Sequence, residues 1–165
     1  MSVVARTVVS AAVEGMVDEV LVRVLLKYAG ALPGNIYGKS GKAHLREKIQ
    51  GYNNAAQFAP WLVLVDLNSD AVCAPPLRRS WLPEVSRYMC FRIAVHEVEA
   101  WMLADRERMA SFLSVSVARI PSDPEALTDP KMTMVDLARR SRRRDVREDM
   151  VPRPGSGRSV APAYT

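Results

Sequence analysis

The chain has 165 residues, of which 48% are hydrophobic and 25% charged, and this composition is typical of a folded domain rather than a disordered chain. It contains no apolar run of the roughly eighteen residues that cross a bilayer and no secretory leader, so we expect no membrane partner, and the isolated Cys73 and Cys90 indicate a reduced, cytoplasmic setting. The net charge of +5 favours polyanionic partners.

An apolar, β-branched run from Val3 to Val13 opens the chain and predicts a buried, central parallel strand. Glu14 and Gly15 follow it, and the apolar period then changes to that of a helix. The side chains expected to face inward from this helix are Val17, Val20, Leu21, Val24, Leu25 and Tyr28. Asp18 and Glu19 fall in its first turn, where acidic side chains interact favourably with the helix dipole.

The middle of the chain alternates between strand and helix patterns. We predict a short strand at Asn35 to Tyr37, a polar helix at Lys42 to Gly51, and a strand at Trp61 to Asp66. A helix from about Leu77 to Val85 and a strand from Phe91 to Val95 follow.

The last third begins with a long predicted helix from Val98 to Leu113, in which Asp105 falls on the apolar stripe and is expected to form a buried ion pair with an arginine. A second helix is predicted from Lys131 to Arg144. From Pro152 the composition turns to Pro, Gly and Ser, which predicts little regular structure. We therefore expect one domain over residues 1–150 and a tail over 151–165.

The alternation of strands and helices predicts an α/β fold with a mainly parallel, three-layer sheet. Glu14 and Asp66 each come directly after an apolar strand pattern. Because ligands of open parallel sheets bind at the carboxyl ends of the strands, these two acids favour metal-dependent phosphate chemistry. The simpler alternative is that both carboxylates cap the helices that follow them.

Several short motifs together resemble a Toprim domain, the metal-binding fold of topoisomerases, bacterial primases and OLD (overcoming lysogenization defect) nucleases. The chain is most similar to uncharacterised bacterial proteins of the OLD-related group, and the resemblance covers nearly its whole length. The residues that carry it are Glu14-Gly15, Asp66-Leu67-Asn68, Cys73-Ala74-Pro75, the segment from Glu97 to Asp105, Asp129-Pro130-Lys131 and Gly157-Arg158.

The resemblance implies a role for each matching residue. Glu14 corresponds to the Toprim glutamate, a metal ligand or general acid/base, and Asp66 to the first aspartate of the family's DxD motif. Asn68 stands where the second aspartate is expected, so that Asp70 is the candidate for the missing carboxylate. The further acidic position of OLD-type nucleases corresponds to Glu97 or Glu99, and their lysine corresponds to Lys131.

Such a cluster has a physical purpose that is independent of any family. One or two Mg²⁺ (or Mn²⁺) ions held by carboxylates stabilise charge on phosphoryl oxygens and activate a nucleophile. A nearby lysine neutralises developing charge. We therefore expect Mg²⁺ or Mn²⁺ as the cofactor, with Glu14, Asp66 and Lys131 as catalytic residues.

Basic residues in two regions are candidates for contacts to a nucleic-acid backbone. They are Lys39, Lys42, Arg139, Arg140, Arg143 and Arg144. Gly38-Lys39-Ser40 lacks the first glycine of a P-loop, because Pro33 occupies that position. The arginines alternate with Asp145, Glu148 and Asp149, so a solvated helix whose charges compensate one another is the alternative.

The sequence thus predicts a Mg²⁺-dependent nuclease, or a related phosphotransfer enzyme, that acts on DNA or RNA. The alternative is a catalytically degenerate Toprim-like module that binds nucleic acid or a protein partner, and Asn68 favours it. A third hypothesis is an effector of a phage-defence or toxin system, controlled by a separate ATPase or antitoxin chain. A final helix missing after the polar tail would leave apolar surface exposed and favour a homodimer.

Overall fold

A computed structural model of the chain describes residues 6–164 and has an α/β fold, in which helices flank a four-stranded, all-parallel sheet as in three-layer Rossmann-like folds. The predicted fold class is therefore confirmed. The strands are β1 (Val8–Val13), β2 (Leu32–Gly38), β3 (Trp61–Asp66) and β4 (Met89–Ala94). The helices are α1 (Met16–Tyr28), α2 (Lys42–Ala55), α3 (Ala74–Trp81), α4 (Val98–Ala104), α5 (Arg106–Leu113), α6 (Pro130–Arg139) and α7 (Arg144–Met150).

The described chain divides into two compact units. The first comprises residues up to Val65 together with Asp70–Ile93, and the second comprises Asp66–Ser69 together with residues from Ala94 onward. The first unit therefore contains nearly all of the sheet and helices α1 to α3, and the second contains helices α4 to α7.

The strand order in the sheet is β2-β1-β3-β4, so β1 lies between β2 and β3. Ala12 pairs with Tyr37 on one side and with Val63 on the other. The small residues Ala11 and Ala12 and the adjacent Val13 are completely buried, as expected for a central parallel strand. Val3 and Val4, which the sequence assigned to the same strand, lie outside the described residues.

The loop after β2 depends on glycine. Gly38 has a φ of 88°, and a Cβ atom at this position would lie 2.2 Å from the carbonyl oxygen of Val13. Lys39 also has a positive φ, and its backbone N–H donates to the same carbonyl oxygen at 2.9 Å. Only glycine therefore fits where this loop passes the end of β1.

Helix α1 turns a different face toward the core than its periodicity predicted. Val22 and Leu26 are buried, whereas Val20, Val24 and Tyr28 are exposed. The prediction failed because apolar residues occur on almost every side of this helix, so that the period alone did not identify the buried face.

The predicted helix from Val98 to Leu113 is two helices, because the backbone breaks at Asp105. Asp105 has φ −86° and ψ 75°, and its Oδ1 accepts a hydrogen bond from the N–H of Arg108 at 3.3 Å. Its side chain is half exposed and lies 3.5 Å from Arg108 Nε. The prediction of a buried ion pair at Asp105 was therefore wrong, and the residue is the N-cap of α5.

Other boundaries differ by a turn or more from the predictions. Strand β2 and helix α2 are longer than expected, and α3 begins earlier, at Ala74. The predicted helix over residues 131–144 ends at Arg139, and α7 follows as a separate helix. Within the described residues, no helix is both long and apolar enough to cross a membrane.

The segment after α7 has little regular structure, but its end is anchored in the second unit. The N–H of Ala161 donates to the carbonyl of Met150 at 3.2 Å, and Ala161 and Tyr164 are buried. A short 3₁₀ turn over Pro162–Tyr164 brings the Tyr164 hydroxyl to Glu99 Oε1, to which it donates at 3.2 Å. Nothing in the composition of the tail indicated this contact.

Candidate functional site

The predicted site residues are divided between the two units. Glu14, Lys39, Lys42 and Asp70 belong to the first unit. The second unit contains the larger group, namely Asp66, Asn68, Glu97, Glu99, Lys131, Arg139, Arg140, Arg143 and Arg144.

In the first unit, two of the predicted lysines form ion pairs with acids. Lys42 Nζ lies 2.7 Å from Asp70 Oδ2, so a predicted nucleic-acid contact pairs with a predicted metal ligand. Lys39 Nζ lies 3.0 Å from Glu19 Oε2. Hydrogen bonds from Lys39 and then from Arg23 hold the pKa of Glu19 below its usual range.

Glu14 directly follows β1, as predicted, and is partly buried. Its backbone carbonyl accepts a hydrogen bond from the N–H of Gly41 at 3.1 Å. The next acid, Asp18, is buried and accepts a hydrogen bond from the N–H of Gly15 at 2.8 Å through Oδ2. Asp18 therefore caps α1, whereas the role of Glu14 stays a prediction.

In the second unit, Asp66 connects the end of β3 to the start of α4. The residue is buried, and its Oδ1 accepts a hydrogen bond from the N–H of Val98 at 2.9 Å. The sequence had suggested that Asp66 could cap the helix that follows it. The cap instead serves α4, a helix much later in the chain, and this contact fixes the carboxylate in position.

Asn68, shortly after β3, contacts the segment that follows β4. The backbone N–H of Asn68 donates to the carbonyl of His96 at 2.9 Å. Nδ1 of His96 in turn lies 3.2 Å from the carbonyl oxygen of Asn68. Asn68 has a φ of 50°, in the left-handed region that asparagine and aspartate adopt more readily than most residues. The asparagine is therefore suited to the backbone at this position.

Glu97 links the starts of two helices. It is the N-cap residue of α4, and its Oε2 accepts a hydrogen bond from the backbone N–H of Lys131 at 2.8 Å, in the first turn of α6. Burial raises the pKa of Glu97, and the charges of Glu99 and Asp129 add to this effect, while the Lys131 N–H opposes it.

Glu99 is a fully buried carboxylate beside a lysine. Its Oε1 accepts the Tyr164 hydrogen bond and lies 3.5 Å from Lys131 Nζ. The Lys131 side chain is one-third exposed, so a buried acid is paired with a lysine that lies partly at the surface. Burial first, and then the Glu99 carboxylate, raise the pKa of the Tyr164 phenol.

The position of Lys131 is set by the start of α6, which the sequence marks with a capping residue and a proline. Asp129 is the N-cap, with Oδ1 accepting from the N–H of Met132 at 2.7 Å, and Pro130 occupies the first turn, where no backbone donor is needed. The Asp-Pro-Lys motif therefore begins the helix and brings Lys131 to Glu97 and Glu99.

These contacts join Glu97 and Glu99 to Lys131, while Asp66 binds the backbone N–H of Val98, the residue between the two glutamates in sequence. Each carboxylate already accepts a hydrogen bond within the unit. Among the residues that the structure describes, no group of three or more His, Cys, Asp or Glu side chains is arranged to hold a metal ion. The arrangement therefore fits at most a Mg²⁺ site with one or two protein carboxylates, in which water and substrate phosphate supply the other ligands.

The arginines predicted to contact nucleic acid are largely compensated by acids. Ion pairs join Arg139 to Asp136, Arg143 to Asp145, and Arg144 to Glu148. Arg140 is exposed.

A cleft that the sequence did not indicate lies in the same unit. It has a volume of about 690 Å³ and is lined in part by Arg139, Arg147 and Arg153, together with Glu148 and Asp149. Arg153 was missed because its segment carries no phosphate-binding motif.

Comparison of the chain with protein-family models, curated proteins and solved structures finds no significant match.

Proposed function

We propose that this chain is a Mg²⁺-dependent phosphodiesterase that acts on nucleic acid, with its reactive centre in the second unit. The observation that carries the proposal is that Lys131 contacts both Glu97 and Glu99, while Asp66 binds the backbone N–H of Val98 between these two glutamates, so that three separate segments of the chain contribute. The resemblance to Toprim domains of the OLD group supports the same chemistry.

Each residue has a distinct part in this proposal. Asp66 and Glu97 are the ligands for the cation, and their hydrogen bonds to backbone N–H groups hold the carboxylates in fixed orientations. Lys131, oriented by buried Glu99, neutralises charge on the phosphoryl oxygens. Bound Mg²⁺ supplies Lewis-acid stabilisation of the phosphoryl group. Glu14 and Asp70 stay predicted ligands.

Nucleic acid is the proposed substrate because of the charge of the chain and its arginine-lined cleft. The net charge is +5, and Arg139, Arg147 and Arg153 line one concave surface. Arginine suits phosphate because its planar guanidinium group forms paired hydrogen bonds with phosphate oxygens.

Cleavage of plasmid DNA and of single-stranded RNA tests the proposal. We expect cleavage with Mg²⁺ and none with EDTA. Asp66→Asn keeps a side-chain oxygen for the Val98 N–H but removes the charge, and Lys131→Met removes the ammonium group. Each change should reduce the rate by about a hundredfold or more.

The matched control is Glu107→Gln, which removes an exposed carboxylate from α5, in the same unit as the proposed site. This variant should cleave at the wild-type rate. Circular dichroism spectra of all three variants should match that of the wild type. Full cleavage by folded Asp66→Asn and Lys131→Met variants would exclude this site.

The second candidate is a module that binds nucleic acid without cleaving it. It is favoured by the absence, within residues 6–164, of a group of three acidic, histidine or cysteine ligands. A protein of this kind would bind DNA or RNA with an affinity that falls steeply with salt and does not depend on Mg²⁺.

A further inference from the structure

The excess positive charge of the chain lies in the first unit. That unit contains eleven Lys and Arg residues and six Asp and Glu residues, whereas the second unit contains twelve of each. The net charge of +5 therefore belongs to the first unit, although the arginine-rich helices α6 and α7 lie in the second. A polyanion should accordingly be attracted to the first unit more strongly than to the second.

Much of this excess comes from the segment around α3 and β4. Residues 71–93 contain four arginines and a single acid, Glu84. Three of the arginines, Arg78, Arg79 and Arg92, are exposed, and none of them forms an ion pair with any residue that the structure describes. They differ in this respect from the arginines of α6 and α7 that neighbouring acids hold.

These three arginines line one groove, which has a volume of about 350 Å³. Arg78 and Arg79 belong to α3, and Arg92 belongs to β4, the last strand of the sheet, where it lies between Phe91 and Ile93. Among the described residues, no acidic side chain lines this groove. A concave surface that carries charge of one sign concentrates the potential and attracts ions of the opposite sign.

The groove is built on packed elements of the first unit. Phe91 of β4 is 1% exposed and stacks on Trp81 of α3, with 6.1 Å between the ring centroids. The guanidinium group of Arg46, from α2, lies over the same Trp81 ring at 5.8 Å from its centroid and adds a further positive charge. The helix and the strand that carry the three arginines are therefore held together by their own side chains.

We propose that this groove binds the sugar-phosphate backbone of nucleic acid, with Arg78, Arg79 and Arg92 donating hydrogen bonds to phosphate oxygens. The planar guanidinium group matches the geometry of phosphate. Contacts to the backbone carry no sequence information, so binding through the groove is independent of base sequence. The inference takes its ligand from the proposed function and so rests on it, but it concerns binding in the first unit and not cleavage in the second.

A phosphate backbone suits this groove better than an acidic peptide does. A nucleic-acid strand carries one negative charge on every nucleotide, so several phosphates can meet the three arginines at once. In an extended acidic peptide, successive carboxylates point to opposite sides of the chain, and only half of them face a single groove.

Fluorescence anisotropy of the full chain with a labelled DNA duplex and a labelled single-stranded RNA, both in EDTA to prevent cleavage, tests the groove. The wild type should bind at least one of these probes. The triple variant Arg78→Gln, Arg79→Gln, Arg92→Gln should bind that probe at least about tenfold more weakly at 0.1 M salt. Its affinity should also depend less on salt, with a slope of log affinity against log salt that is smaller by about two to three.

The matched control is the triple variant Arg6→Gln, Lys27→Gln, Lys48→Gln, which removes three exposed charges from the same unit outside the groove. It should keep its affinity within about threefold, because charges distant from the contact are largely screened at this salt concentration. Circular dichroism spectra of both variants should match that of the wild type. Equal losses in the two variants, unchanged affinity in the folded groove variant, or a wild type that binds neither probe overturns the proposal.

An acidic protein partner and a failure of catalysis give different results. Loss of binding to poly-glutamate in the groove variant, with unchanged binding to nucleic acid, overturns the proposal in favour of an acidic protein. A wild type that binds nucleic acid through the groove but does not cleave it with Mg²⁺ supports the groove and contradicts the proposed function.

Photo-cross-linking tests the location of the bound strand. Cys73 is exposed and directly precedes Ala74, which lines the groove. In a Cys90→Ala background, a benzophenone attached to Cys73 should cross-link to the bound probe on irradiation. The control carries the same label at Val20→Cys, a 63% exposed position of α1, in a Cys73→Ser, Cys90→Ala background. Cross-linking from the control that equals or exceeds that from Cys73 contradicts binding in this groove.

Discussion

Asn68 stands at the position where the resemblance to Toprim domains expects a second aspartate. Its φ of 50° is a conformation that aspartate also tolerates, so the backbone does not require the amide. The difference between the two side chains at this position is thus mainly one of charge.

We expect Asn68→Asp to keep the fold and to increase the affinity for Mg²⁺ several-fold, because a carboxylate holds a hard cation more strongly than an amide does. The measurement is the Mg²⁺ concentration that gives half-maximal cleavage. Asn54→Asp adds the same charge at an exposed residue of α2 and is the control. An unchanged Mg²⁺ requirement in folded Asn68→Asp contradicts a role for this position.

Glu97 is the residue whose titration should affect stability. Burial raises its pKa above the ordinary value of 4.5, so the folded state binds this proton more tightly than the unfolded state. The resulting contribution to stability is complete below the unfolded pKa and is lost as the pH rises through the higher, folded pKa.

Glu97→Gln removes this titration and keeps an oxygen that accepts the Lys131 N–H. We therefore expect the wild type to lose stability relative to Glu97→Gln as the pH rises above the ordinary glutamate pKa of 4.5. Urea unfolding in EDTA at several pH values measures the difference in the free energy of unfolding. A difference that is constant, or of opposite sign, contradicts the raised pKa.

At the scale of elements, the sequence predicted the strands better than the faces and ends of the helices. Trp61 to Asp66 was predicted with its observed bounds, because a short apolar run that ends in an acid has few alternatives. Asp105 was misassigned because helical periodicity continues through it, whereas a local hydrogen bond to the N–H of Arg108 ends one helix and begins the next. The packed face of α1 was determined by tertiary contacts.

The candidate site could be predicted as a list of residues but not as a set of contacts. The Toprim-like motifs identified Asp66, Glu97 and Lys131 by position along the chain. Their hydrogen bonds connect segments about thirty residues apart, and local sequence does not encode such pairings. Tyr164 was missed for the same reason, since it contacts Glu99 from sixty-five residues away.

Two glycines offer a matched test of element geometry. Gly38→Ala should destabilise the protein by about 2 kcal/mol or more, because it introduces a Cβ atom that clashes with the Val13 carbonyl at a positive φ. Gly51→Ala, in open space on α2, should stabilise it by about 0.5–1 kcal/mol. Urea unfolding measures both changes, and equal effects contradict the assigned loop geometry.

At the scale of the whole molecule, the described residues form two compact units, and Asp66, Glu97, Glu99 and Lys131 all belong to the second. The first unit contains Glu14 and Asp70, whose roles as metal ligands stay predictions.

The initial rate of cleavage of a nucleic-acid substrate by the wild-type chain, measured against Mg²⁺ concentration, tests the central claim most directly. The account predicts no cleavage in EDTA, a rate that rises with Mg²⁺ to saturation, and a loss of this dependence in Asp66→Asn. Salt-sensitive binding of the same substrate without cleavage at any Mg²⁺ concentration would contradict it.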